Sequence, residues 1–453
     1  MNPCRHENPA IICTGFAVSG WSAAKPYVLF IAIDLAPALR CYGILMAEMP
    51  RFTVRLRDEE EINCASINPC VVSGILRTPR KNACMLSNFQ NYKIFTPGPT
   101  PVAEDILRMG SWQPPYNRTQ SFSELTLEIL EGLKALFNTR GEVVILTASG
   151  TGAMEAAARG CLSPEGRALI VNGGVWGQRW VDICRANGLP FEEIQLAPGT
   201  AVEPGDIEAR LTGGSFDSLL INGHETSTGV LYDLPAIGEI ARRHNALFIV
   251  DAISTVGADE FQMDDWGIDV AILSSQKALA LPPGLSFVAL NQRAMDRLDS
   301  APPAGIYFDL KVYLKNQARG QMPYTPAISL FLMLHERLNQ MRRVGLEQGI
   351  ERHAQLAKYF RDQLDDLSLQ GFPLRPSNAM TAVRCANGIN ARELVRILET
   401  QHRIYVAPNP GELETRVFRV SHMGDQHEED VDGLCRALRS TIDSLRPVRE
   451  MSQ

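Results

Sequence analysis

The chain has 453 residues, 45% of them hydrophobic and 21% charged, with a formal net charge of −7. That balance suits a globular protein of two or three domains, and it offers no global basic field for nucleic acid. No apolar run reaches the ~18 residues of a membrane span, so a cytoplasmic location is expected. Ten cysteines form no CxxC pair, and six of them (Cys4, Cys13, Cys41, Cys64, Cys70 and Cys84) precede Met85. Neither a metal site nor a disulfide framework is expected from them.

Met1 to Cys84 shows no sustained helical or alternating period, and Asp58–Glu61 is a short acidic run. The acidic residues do not suit a transit peptide. Residues 1–88 therefore read as a non-domain extension, disordered or a mis-assigned translation start. Beyond it, apolar runs recur at Val143–Leu146, Ala168–Val171, Ser218–Ile221, Leu247–Val250 and Val270–Leu273. Helical stretches lie between several of them: Gly152–Leu162, Gly177–Asn187, and Asp233–His244 with an Asp cap and a Pro two positions on. Alternating strands and helices predict an α/β fold with a mostly parallel sheet covered on both faces. After Thr325 the pattern changes to a long helical region, Ala327–Leu367, and then short strands at Thr381–Arg384, Ile404–Ala407 and Val417–Val420. The expected division is a large domain over 89–345 and a smaller C-terminal α+β domain over 346–453.

Parallel sheets bind ligands at the carboxyl ends of their strands, and each motif stands at such an end. Val143–Leu146 runs into Thr147-Ala148-Ser149-Gly150-Thr151-Gly152 and then a helix. Glycines in that turn let backbone N–H groups approach a phosphate, and the helix N-terminus adds roughly half a positive charge. No GK[ST] follows and the GxGxxG spacing fails, which excludes Walker and dinucleotide loops. The next strand ends in Asn172-Gly173-Gly174-Val175-Trp176, a tryptophan among glycines that can stack on an aromatic ring. Asn222-Gly223-His224-Glu225-Thr226-Ser227 follows another strand and can bond a ring substituent; His224 has no acid–base role in this reading. Leu247–Val250 ends on Asp251, and Val270–Leu273 ends on Ser274-Ser275-Gln276-Lys277. Neighbouring strands lie roughly 4.8 Å apart, so a carboxylate and an amine meet at one sheet edge. Pyridoxal phosphate needs that pair, a lysine for its aldehyde carbon and an acid for its pyridine nitrogen.

From about residue 91 to 445 the chain resembles the class V aminotransferases of fold type I, and within them the alanine/serine–glyoxylate aminotransferase group. The match is carried by Thr96-Pro97-Gly98-Pro99-Thr100, Ser149–Gly152, Asn172–Arg179, His224–Gly229, Val250-Asp251-Ala252, Ser275–Leu279 with Pro282-Pro283-Gly284, and Arg419–Gly424. The resemblance implies roles residue by residue. Lys277 is the Schiff-base lysine and proton shuttle, and Asp251 keeps the pyridine nitrogen protonated. Trp176 stacks on the ring, Ser149, Gly150, Thr151 and Gln276 hold the phosphate, and Ser227 lies near the ring hydroxyl. Arg419 clamps the substrate carboxylate with its planar fork. Tyr324 and Thr325 resemble residues that cross to a partner subunit's phosphate, implying a homodimer with shared sites. The resemblance implies transfer of an amino group from a small amino acid to a 2-oxo acid such as glyoxylate or pyruvate.

Three rivals differ at particular residues. A desulfurase of this fold carries His before the lysine and a mobile cysteine; here Gln276 precedes Lys277, and Cys385 alone has a loop context. A 2-aminoethylphosphonate–pyruvate aminotransferase carries Asn before the lysine and Tyr in place of Trp176. A cofactor-binding regulator appends a DNA-binding domain, and residues 1–84 show no basic recognition helix.

Overall fold

The computed structural model describes residues 91–386 and 388–445, together with the strands Thr53–Arg55 (β1) and Glu61–Asn63 (β2). β1 and β2 pair antiparallel, with Thr53 opposite Asn63. The rest of the expected N-terminal extension lies outside the described residues.

The following elements run in chain order. Lys93–Phe95 (β3) leads to Glu104–Met109 (α1) and Gln120–Phe137 (α2). Strands and helices then alternate: Glu142–Leu146 (β4), Gly150–Cys161 (α3), Ala168–Asn172 (β5), Val175–Ala186 (α4), Phe191–Gln195 (β6) and Pro204–Gly213 (α5). Ser218–Asn222 (β7), the short ribbon His224–Glu225 (β8) and Val230–Leu231 (β9), Leu234–Arg243 (α6), Leu247–Asp251 (β10), Val270–Ser274 (β11) and Ser286–Leu290 (β12) complete this part. Four helices follow: Gln292–Ser300 (α7), Leu310–Gln317 (α8), Ile328–Val344 (α9) and Leu346–Asp362 (α10). The last part contains Gln370–Gly371 (β13), Met380–Arg384 (β14), Ala391–His402 (α11), Ile404–Pro408 (β15), Val417–Ser421 (β16) and Glu428–Leu445 (α12).

The large sheet has seven strands in the order β4-β12-β11-β10-β7-β5-β6. From β11 to β6 all neighbours are parallel, and β12 runs antiparallel to both of its neighbours. β5, β7, β10 and β11 are buried along their whole length, because helices cover both faces; this is why they read as unbroken apolar runs. Fully buried Phe248 and Ile249 each contribute about 1.5–3 kcal/mol of apolar burial. The three helices expected between strands are present as α3, α4 and α6, and Asp233 caps α6 by accepting from the Ala236 amide at 3.2 Å.

Two expectations are corrected. The helical region 327–367 is broken: Gly345 has φ +96° and ends α9 before α10 begins, a conformation that costs an L side chain strain. Strand β3 lies in the second sheet and not in the large one, although the sequence division placed it in 89–345. That sheet has the order β13-β14-β16-β15-β3, and β3 pairs parallel with β15, Ile94 opposite Tyr405. Phe95 is buried there with Phe360, Leu394, Phe418 and Leu438, apart from the apolar cluster around the large sheet. Among the described residues no helix is long and apolar enough to cross a membrane.

Candidate active site

Asp251 is the last residue of β10, opposite Asn222 of β7 and Ile272 of β11. Its carboxylate accepts from Asn222 Nδ2 at 2.8 Å and from the Ile253 amide at 3.0 Å. Burial pushes this carboxyl up to about 6, against the pull of the Ile253 N–H and of Lys277. Lys277 follows β11 by three residues and is itself buried. Its Nζ donates to Pro97 O at 2.6 Å and lies 5.8 Å from the centroid of the Trp176 ring. Burial and nearby Arg419 push the amine down to about 8, while Asp251 opposes them.

The segment before α1 straps over the lysine. Thr100 Oγ1 donates to Lys277 O at 2.9 Å, and the Thr100 amide donates to Gln276 O at 3.2 Å. Gly98 has φ +147°, and a Cβ on it would meet Lys277 Cε and Nζ at 2.8 Å. Glycine is needed there for close approach.

Ser149, Gly150, Thr151, Trp176, Asp251, Gln276 and Lys277 border one cavity of about 240 Å³. Ser149 caps α3 by accepting from the Gly152 amide, and Ser149, Gly150 and Thr151 bring the N-terminus of α3 to the cavity wall. Trp176 stands at the start of α4, whose turn is held by Glu225. That carboxylate is fully buried and accepts from the Gly177 amide at 2.9 Å and the Trp176 amide at 3.4 Å. Burial raises the Glu225 carboxyl, while these N–H groups and Ser227 hold it down.

Four expected residues do not border this cavity. Ser227 donates its hydroxyl to Glu225 and accepts from the Val175 amide at 3.1 Å, and so shapes the tryptophan turn. Tyr324 and Thr325 lie elsewhere, Tyr324 bonding Ile306 O at 2.6 Å and stacking on Tyr307 at 5.3 Å. Arg419 in β16 is tethered by Thr226 O at 3.1 Å and Pro408 O at 2.7 Å. Burial pushes it down to about 10, and its buried Nε has no hydrogen-bond partner among the described residues.

The cavity is also bordered by residues to which the sequence gave no role: Gly98, Arg179, His224, Thr226 and Ser254. Thr226 Oγ1 donates to Ser254 Oγ at 2.8 Å. Burial lowers His224 to about 3, so it is neutral. Among the described residues the buried atoms His224 Nε2 and Trp176 Nε1 have no hydrogen-bond partner, and buried polar atoms are ordinarily paired. A flat aromatic wall, an acid, a low-pKa amine and a helix N-terminus fit a phosphorylated pyridine aldehyde.

Comparisons with known proteins agree. The family model for aminotransferase class V matches residues 114–434. The chain is 35% identical over 358 residues, 78% of this chain and 93% of the other, to a protein of Synechococcus sp. named soluble hydrogenase small subunit. It is 32% identical over 341 residues to the L-aspartate–glyoxylate aminotransferase of Paracoccus denitrificans, covering 73% of this chain and 86% of that one. The crystal structure of an alanine–glyoxylate aminotransferase from Nostoc sp. superposes with a TM-score of 0.75 at 27% identity, over 78% of this chain and 95% of that one. The chain belongs to the class V aminotransferases, enzymes that carry out transamination with pyridoxal phosphate.

Proposed function

We propose that this enzyme moves the amino group of a small amino acid, of the alanine, serine or aspartate type, to a 2-oxo acid such as glyoxylate or pyruvate. The observation that carries the reading is Lys277 and Asp251 in one cavity with Trp176 as its wall. When bound, pyridoxal phosphate supplies a reactive aldehyde and an electron-withdrawing ring. Lys277, with its amine held near 8, is neutral often enough at physiological pH to act as nucleophile and to take and return a proton at substrate Cα. Asp251 favours a positive N–H at the ring nitrogen by opposite charge. Trp176 fixes the ring plane, and Ser149, Gly150, Thr151 and Gln276 take the phosphate. Arg419, with its unpartnered Nε, takes the substrate carboxylate in two parallel hydrogen bonds.

The subunits pair as a homodimer in the cytoplasm, with Tyr324 and Thr325 serving the partner's phosphate. Their place outside this chain's own cavity and the exposed side chains of Trp112, Tyr116 and Ile306 support this. A monomer by sedimentation equilibrium at micromolar concentration would contradict it.

The desulfurase alternative needs a nucleophilic thiol. Cys385 follows β14, does not border the cavity, and burial pushes it up to about 12, the reverse of an activated cysteine. The deciding experiment mixes purified holoenzyme with alanine, serine, aspartate, cysteine and 2-aminoethylphosphonate. Visible absorbance of the cofactor and the 2-oxo product are followed, with hydrogen uptake assayed alongside. Bleaching and keto-acid formation with none of the small amino acids would defeat the proposal.

A further inference from the structure

Arg179 has no part in the roles above. It projects from the second turn of α4 and borders the cavity. Its guanidinium lies 5.3 Å from the centroid of the Trp176 ring, and Nη1 donates to Thr151 Oγ1 at 2.7 Å. Among the described residues its hydrogen-bond partner is a neutral hydroxyl and not a carboxylate.

The guanidinium is half-buried at the cavity wall. Arginine stays charged, and a cation partly withdrawn from water is favoured by an anion beside it. Lys277, the other cation on the cavity wall, has Asp251 to balance it. Arg179 stands beside Thr151, where Ser149, Gly150 and Thr151 open α3. The first amides of a helix lack intrahelical acceptors and point at any anion there. The Thr151 hydroxyl already accepts from Arg179, so its one proton is left to donate into the cavity. Helix amides, a polarised hydroxyl and an unbalanced guanidinium all converge on one place for an anion.

We propose that Arg179 is the charge partner of the cofactor phosphate. It acts through the Thr151 hydroxyl and its own remaining N–H groups, and it sets the preference for the phosphorylated cofactor over the unphosphorylated one. The inference rests on the pyridoxal-phosphate reading of this cavity. The bland alternative is that Arg179 props the Trp176 ring and does nothing else.

The two differ in what they do to a cofactor without a phosphate. Apoprotein is titrated with pyridoxal phosphate, with pyridoxal, and with pyridoxal phosphate in competition with inorganic phosphate. Quenching of tryptophan emission and visible absorbance both follow binding. Arg179→Gln should weaken pyridoxal phosphate by about tenfold or more, the loss of one charge-assisted hydrogen bond, while pyridoxal stays within about twofold of wild type. Competition by inorganic phosphate should fade in the same variant. Arg179→Lys should recover part of the preference, because it keeps the charge without the fork. Thr151→Val should lose part of it with Arg179 intact. Equal loss of both ligands, or unchanged affinity for pyridoxal phosphate, overturns the inference. Wild-type protein that takes up neither ligand instead overturns the cofactor reading, and the inference with it. If Arg179→Gln does not fold by circular dichroism, Arg179→Lys decides: a wild-type ratio of the two affinities overturns the inference.

Discussion

Lys277 shows how burial, aided by a neighbouring cation, prepares a side chain for chemistry. Its amine sits near 8, below the ordinary lysine value of about 10.4. A cation depressed in this way contributes stability that is present above its unfolded value and lost as pH falls through about 8. In apoprotein, labelling of Lys277 by an amine-selective reagent, read by peptide mapping, should reach half its maximum near pH 8. A midpoint near that of ordinary lysines would remove the activated amine. Asp251 has the opposite sign. Its carboxyl is raised to about 6, so its stabilising contribution is present below the unfolded value and is lost as pH rises through about 6. Asp251→Asn apoprotein should therefore be more stable than wild type at pH 7, by on the order of 1–3 kcal/mol, yet lose most turnover. Denaturant melts at pH 4 and pH 7, with rate measurements, check both halves; equal pH slopes would contradict the first. Both residues were legible in the sequence because each ends an apolar run. Arg179 was not, since nothing in the spacing of Trp176-Gly177-Gln178-Arg179 tells which way a side chain one turn into a helix leans.

The start of α4 depends on one carboxylate brought from another strand. Glu225 of β8 pairs the amides of Trp176, Gly177 and Ser227, at 3.4, 2.9 and 3.1 Å. Gly174 permits this, because a Cβ there would collide with Ser227 Oγ. Glu225→Ala leaves those donors buried and unpaired, each worth about 1–3 kcal/mol. A lower unfolding midpoint is expected, with weaker quenching of Trp176 by bound cofactor; Glu225→Gln should recover part of both. Unchanged stability and quenching in the alanine variant would mean the turn holds itself. The elements that the sequence made legible are the doubly covered parallel strands, whose period is lost to uniform burial. β12 broke that logic: only a loop separates it from β11, so the strand–helix alternation skipped it. β6 was missed because its sequence, Phe-Glu-Glu-Ile-Gln, is half-buried along most of its length and shows no apolar run. Ser227 was placed by resemblance alone, and its turn rotates it toward Glu225.

Among the described residues, the buried members of the apolar clusters lie between Phe95 and Ile442, as do all the residues of the cavity. A chain beginning at Met85 should thus melt at the same midpoint as the full chain and bind cofactor equally well. Calorimetry and cofactor titration read the two quantities, and a large fall in either would give the first residues a structural task. The strap over Lys277 has a mechanical consequence. Phe95 is fixed in the five-stranded sheet, and Gly98 lies against the lysine of the other. Three residues of extended chain reach at most about 10 Å, so there is little slack between the two anchor points. Were the smaller sheet displaced, the Pro97 carbonyl and the Gly98 backbone would have to travel with it or stretch taut. Lys277 Nζ donates to that same Pro97 carbonyl, so a displacement of β3 would be transmitted directly to the amine.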